Sequence, residues 1–194
     1  MSVRIVLLGP PGAGKGTQAA RLCGRLAVPA ISTGDIFRSG ALGDTEAGRR
    51  ARAHMDKGEY VPDEITNALV EERISRPDAA QGFLLDGYPR TEAQVHELDA
   101  MLERSGASLD AVVEITLDPE AVVARLLKRA QEQGRADDTE PVIRHRLEVY
   151  AERTEPLAAI YASRGALVRV DGDGEVDEVA DRIVSALGAH GLSV

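Results

Sequence analysis

Residues 4–17 read Arg4-Ile5-Val6-Leu7-Leu8-Gly9-Pro10-Pro11-Gly12-Ala13-Gly14-Lys15-Gly16-Thr17. A short apolar run meets a glycine loop, and a helical pattern begins at Lys15. Gly9 to Lys15 fit G-x-x-x-x-G-K, the core of a phosphate-binding P-loop. There is one departure: Gly16 follows the lysine, and the hydroxyl comes one place later, at Thr17. Glycines let successive backbone N–H groups turn inward around phosphate oxygens, and the following helix aims its positive N-terminal end at them. A lysine there is a slim point charge that reaches between the β and γ phosphates. The chain has only three lysines, Lys15, Lys57 and Lys128, so one kept in this loop fits that need. A bare strand-to-helix turn is the alternative. With the strand before it and the helix after it, the loop predicts a nucleoside triphosphate site formed by Gly12, Ala13, Gly14, Lys15, Gly16 and Thr17.

Outward from this loop, strand-length apolar runs at 4–8, 28–31, 82–85, 111–117 and 166–170 alternate with helical patterns. The helical stretches are 15–26, 44–57, 63–75, 92–105, 119–133, 140–164 and 176–187. Several runs are apolar throughout, as in a parallel sheet covered on both faces. The alternation predicts an α/β fold, a doubly wound five-stranded parallel sheet with ligands at the carboxyl ends of its strands. One domain over residues 1–194 is expected, with no internal repeat or separating linker. Two segments interrupt the rhythm, a helical pair around 34–62 and the short stretch 131–139, and both are candidates for pieces that cover substrate.

Composition narrows the function classes. The 194 residues are 43% hydrophobic and 28% charged, which suits an ordinary globular domain and excludes collagen-like or long disordered chains. The net charge of −9 argues against nucleic-acid polymers and anionic membranes as partners, but says nothing of a small anion in a local pocket. Aromatic residues make up 3% with no Trp, too few for base-stacking platforms. The single cysteine, Cys23, allows no internal disulfide and no Cys-rich zinc site, and reads as a small buried side chain. No run approaches a membrane span and no signal peptide is read, so a cytoplasmic location is expected. His54, His96, His145 and His190 show no ligand spacing.

Three further stretches carry chemistry. In Ser32-Thr33-Gly34-Asp35-Ile36-Phe37-Arg38, Thr33 offers a hydroxyl and Arg38 a planar guanidinium suited to a monophosphate. A helix N-cap followed by a solvated arginine is the plainer alternative. In Phe83-Leu84-Leu85-Asp86-Gly87-Tyr88-Pro89-Arg90-Thr91, an apolar strand ends at Asp86. An acid at a strand end near a P-loop suits Mg²⁺ held through water. Gly87 permits close backbone approach and Arg90 adds a second phosphate fork; a turn cap and a surface charge are the alternative. Gln94 lies on the next helix with an amide able to pair bidentately with a base edge. Arg125 and Arg129 share one helix face; for Arg125, ion pairing on a solvated helix and a ligand role stand equally open, and for Arg144 pairing is preferred.

Together, GPPGAGKGTQ (9–18), STGDIFR (32–38), FLLDGYPRT (83–91) and GRADD (134–138) followed by Arg146 resemble the signature stretches of adenylate kinases, in order and spacing along nearly the whole chain. The resemblance implies reversible Mg²⁺-dependent phosphoryl transfer from ATP to AMP, giving two ADP. It implies Lys15, Arg90, Arg129, Arg135 and Arg146 as catalytic residues, with Arg125, Arg129 and Gly174 joining the P-loop around ATP. Around AMP it implies Thr33, Arg38, Glu59, Tyr60, Val61, Gly87, Tyr88, Pro89, Arg90, Gln94, Arg135 and Arg146. Mg²⁺ would be held by Asp86 through water, with Thr17 a second candidate. Residues 32–61 would form the AMP-covering insertion and 131–139 a short lid without zinc, in which Asp137 and Asp138 pair with arginines. Gln133 stands where some short-lid relatives carry arginine. Thr33 and Gln94 favour AMP over UMP or CMP, and a monomer is expected. A pyrimidine-monophosphate kinase of the same fold and a slow nucleotide-binding switch remain as alternatives.

Overall fold

The central strand-length runs become strands buried on both faces, while the edge strands bury one. In the computed structural model, which describes residues 2–133 and 139–192 (for 119, 120 and 129–133 the backbone alone), β1 spans Val3–Leu8, β2 Ala30–Ser32, β3 Gly82–Asp86, β4 Ala111–Thr116 and β5 Leu167–Asp171. They form one parallel sheet in the order β2-β3-β1-β4-β5. After β1 the chain runs to the edge strand β2 and returns to place β3 beside β1, and after β3 it crosses to the other side. The carboxyl end of β1 therefore lies at the switch point where α/β sheets open a ligand crevice.

The period-two alternation of side chains sorts the strands onto two cores. Val6, Leu8, Phe83, Leu85, Ile31 and Val112 face helices α4 (Asp63–Ile74), α5 (Glu92–Arg104) and α8 (Leu157–Ser163). Ile5, Leu7, Leu84, Val113, Ile115 and Val170 face α1 (Lys15–Leu26) and α9 (Val176–Ala189). A small third cluster, Val122, Leu126 and Ile143, joins α6 (Pro119–Gln133) to α7 (Glu140–Arg153). The helical pair between β2 and α4 is α2 (Thr33–Arg38) and α3 (Glu46–Asp56).

Two expectations are corrected. β2 begins at Ala30, not Val28, because Pro29 has no N–H to give; its carbonyl instead accepts from Leu84 N–H at 3.0 Å. The helix expected over 140–164 is two helices. Thr154 and Glu155 still donate to Tyr150 O, and the chain breaks at Pro156, which starts α8. The break places Thr154 at the C-cap of α7, beside the cleft described next.

Candidate active site

A cleft of about 560 Å³ opens at the carboxyl ends of the strands, in the size range of small-molecule sites. Gly12, Gly14, Lys15, Gly16 and Thr17 line one side. Gly14, at φ +87°, is the N-cap of α1; no side chain caps this helix and no acid stands in its first turn. Its N-terminal N–H groups thus meet no competing carboxylate of their own helix. Gly9 is required on steric grounds: at φ +143°, a Cβ there would sit 2.5 Å from Ile115 O. Lys15 Nζ donates to Gly9 O at 2.7 Å and Pro10 O at 3.0 Å, so its ammonium arches back over the loop.

Asp86 ends β3, in register with Leu7 of β1 and Ser32 of β2. A Cβ on Gly16 would lie 3.6 Å from Asp86 Oδ2, which brings this carboxylate against the loop, with Thr17 on the same wall. Among the described residues no group of three or more His, Cys, Asp or Glu could hold a metal ion. One carboxylate and one hydroxyl beside a phosphate loop fit Mg²⁺, which keeps several waters and takes phosphate oxygens as ligands.

The opposite side is built from side chains. Gly87 O accepts from Thr33 Oγ1 at 2.9 Å and from Arg90 Nε at 2.7 Å. Gly87 sits at φ +81°, and a Cβ there would lie 2.8 Å from Arg90 Nη2 and 2.9 Å from Thr33 Oγ1. The Arg90 guanidinium lies over the Tyr60 ring, 5.0 Å from its centroid. Thr154 Oγ1 donates to Arg90 O at 2.9 Å, and Tyr60 Oη lies 2.6 Å from Thr154 Oγ1. The threonine proton goes to the carbonyl, so the tyrosine donates. Gln94, 1% exposed, accepts the Arg90 N–H at 2.7 Å through Oε1 and donates from Nε2 to Asp63 Oδ1 at 2.7 Å. Arg38 pairs with Asp35, and Glu59 Oε2 lies 2.7 Å from His54 Nδ1.

Of the residues singled out from sequence, the cleft brings together Gly12, Gly14, Lys15, Gly16, Thr17, Thr33, Arg38, Glu59, Tyr60, Val61, Asp86, Gly87, Pro89, Arg90, Gln94, Arg125 and Arg146. Cations outnumber carboxylates along it, against the chain's overall −9. Arg125 donates to Gly172 O at 3.3 Å and faces Asp173 at 3.5 Å, while Arg146 Nη2 reaches Met55 O at 3.5 Å. Three residues do not line the cleft. Ala13 is buried in the core under the loop. The Tyr88 ring is buried, its phenol donating to Asn67 Oδ1 at 2.9 Å, and burial pushes it far above the ordinary tyrosine range. Gly174 follows β5, near Glu178 and Arg182. Arg135, Asp137, Asp138 and most of the 131–139 stretch lie outside the described residues, as do the side chains of Arg129 and Gln133. Arg144 pairs with Glu140 at 2.8 Å, one helical turn away.

Asp63, Tyr150 and Thr154 were not singled out from sequence, although Tyr150 and Thr154 line the cleft and Asp63 holds Gln94. Pro156 was the available signal for Thr154, since a proline places the preceding residues at a helix end.

A five-stranded parallel sheet, with a G-x-x-x-x-G-K loop leaving its central strand and arginines converging across the cleft, defines a P-loop kinase of the α/β class. A family model described as adenylate kinase matches residues 7–166. A Kocuria rhizophila protein named adenylate kinase is 59% identical over 184 residues, covering 95% of this chain and 98% of its own length. Namesakes from Nocardioides sp. and Thermobifida fusca are 57% and 52% identical over 185 residues each, with 95% of this chain and 97% and 98% of their own lengths covered. The chain belongs to the adenylate kinase family, and its activity is that of a nucleoside monophosphate kinase, a transferase acting on ATP, AMP and ADP.

Proposed function

We propose that the chain carries out reversible, Mg²⁺-dependent transfer of the ATP γ-phosphoryl group to AMP with the residue roles that follow. The observation that carries this reading is the single cleft in which the P-loop and Lys15 stand across from Arg38, Arg90 and Arg146. The P-loop N–H groups and Lys15 hold the donor phosphates, with Arg125, Arg129 and Gly174 on the ATP side. Arg38 and Arg90 grip the AMP phosphate; Thr33, Gln94, the 59–61 strip and the backbone of 87–89 surround its nucleoside. Arg129, Arg135 and Arg146 neutralise charge on the phosphoryl group in flight, an effect worth roughly 10³–10⁵ in rate for positioned cations. Asp86, through water, and Thr17 beside it would hold Mg²⁺, which when bound would supply positive charge against the donor phosphates. The AMP phosphate is already an anionic nucleophile, so no general base is needed. Its oxygen forms the new bond to the γ phosphorus as the γ–β bridging bond breaks, and the electron pair leaves with ADP.

Residues 32–61 then act as the AMP cover and 131–139 as the ATP lid, keeping water from the phosphoryl group. A cytoplasmic monomer without nucleic-acid or membrane partners fits the acidic surface, and no described helix is long and apolar enough to cross a membrane. Coupled ADP formation from ATP plus AMP, with and without Mg²⁺, tests the reading. ADP formation that requires AMP and Mg²⁺ and collapses in Arg90→Met supports it. ATP consumption independent of AMP, or faster use of UMP or CMP, contradicts it.

A further inference from the structure

Gln94 is held by two neighbours whose hydrogen-bonding roles are fixed by chemistry. The Arg90 backbone N–H, 2.7 Å from Oε1, only donates. The Asp63 carboxylate, 2.7 Å from Nε2, only accepts. An amide turned by 180° would set N–H against N–H and oxygen against carboxylate oxygen, so one orientation survives. Asp63 is itself held. Its Oδ2 accepts from Thr91 Oγ1 at 3.1 Å, and that hydroxyl caps α5 by accepting the Gln94 N–H at 3.2 Å. A carboxamide has two N–H groups and two oxygen lone pairs. With one of each committed to the protein, one of each remains at a side chain that lines the cleft.

We infer that Asp63 is a specificity-determining positioning residue. By locking the Gln94 amide, it fixes the order in which acceptor and donor meet the base, so that the site takes a 6-aminopurine monophosphate and rejects the 6-oxo analogue. Adenine presents a 6-amino donor beside the N1 acceptor; hypoxanthine presents a 6-oxo acceptor beside an N1–H donor. The two edges are reversed. A locked amide matches one of them, while an amide free to turn serves both. The inference rests on the reading that Gln94 meets the acceptor base.

The test compares kcat/KM for AMP with kcat/KM for IMP in the parent, Asp63→Ala and Asp63→Asn. Both acceptors are assayed on one preparation, so a loss of folded protein leaves the ratio untouched. In Asp63→Ala, water replaces the carboxylate and can either donate or accept, so that the Arg90 N–H alone opposes the turned amide and the lock is weakened. The AMP-to-IMP ratio then falls about tenfold, the size expected for one hydrogen bond to a charged group. In Asp63→Asn, the Arg90 N–H still holds Gln94 Oε1, so the asparagine turns its oxygen to Nε2 and its NH2 to the Thr91 Oγ1 lone pair, and the ratio stays within about threefold of the parent. Thr91→Val removes the hydroxyl that holds Asp63 and lowers the same ratio by a smaller factor, which serves if the alanine chain does not accumulate. An alanine variant with the parental ratio overturns the inference, as does an asparagine variant whose ratio falls as far as that of the alanine one. A parent that prefers UMP or CMP to AMP overturns the adenine reading and this inference with it. A parent selective for AMP whose ratio survives Asp63→Ala overturns the inference alone.

Discussion

The two walls of the cleft are built from different materials. The P-loop wall is mostly backbone: glycines at positive φ, a helix start without a capping side chain, and a lysine tied to two loop carbonyls. The Arg90 wall is held by side chains, three of its four links spanning long stretches of sequence: Tyr60 to Thr154, Thr154 to the Arg90 carbonyl, Gln94 to the nearby Arg90 N–H, and Gln94 to Asp63. Backbone N–H groups recognise phosphate, which every nucleotide donor shares. A side-chain network sets the order of donors and acceptors, which is what one base has and another lacks. General affinity therefore resides in the backbone wall and selectivity in the side-chain wall.

Perturbing each wall sharpens that contrast. Lys15→Met has the largest expected effect, a fall of ~10²–10³ or more in phosphotransfer from losing an aimed charge, with the unfolding temperature little changed. Steady-state kinetics and a thermal melt on one sample check it. Gly87→Ala strikes the other wall. A Cβ at φ +81° meets Arg90 Nη2 and Thr33 Oγ1 inside 3 Å, so both grips on Gly87 O must shift. Strain of ~1–3 kcal/mol and a rise in KM for AMP larger than that for ATP are expected. Within the P-loop, Gly12→Ala destabilises more than Gly14→Ala. Both sit at positive φ, but only at Gly12 does a Cβ meet a core side chain, Leu126 Cγ at 2.8 Å, whereas at Gly14 nothing lies within 4 Å. Urea melts of the pair read the difference.

The smallest expected effect concerns Cys23 on α1, behind the loop. Burial pushes its thiol from 9.0 up to about 11. The folded chain keeps this proton longer than the unfolded one, so the contribution to stability is full below pH 9 and is lost as pH rises toward 11. Alkylation at pH 8.5 should be slower in the folded chain than in urea.

The sheet was legible because β1, β3 and β4 are short, largely apolar runs, as central strands of a parallel sheet covered on both faces are. The P-loop and Asp86 were legible for a related reason: each lies within a short contiguous stretch that carries its own pattern. The α7–α8 break went unread because apolar residues at helical spacing continue past Pro156, from Ile143 and Leu147 to Leu157 and Tyr161. The Arg90 wall was half legible. Arg90 and Gln94 announce themselves by type and spacing, but the groups that aim them, Asp63, Tyr60 and Thr154, lie 31, 30 and 64 residues away and meet them only through tertiary packing. Long-range hydrogen bonds have no local pattern.

The separation of the two walls is tested most directly by Thr154→Val, assayed for KM toward AMP and ATP in the same enzyme. The substitution leaves Arg90 O and the Tyr60 hydroxyl without their shared partner, at a cost of ~1–3 kcal/mol, while touching nothing in the P-loop. A KM for AMP raised about fivefold or more, with a KM for ATP within about twofold of the parent, is expected. An equal rise in both constants, or no change in either, would contradict it.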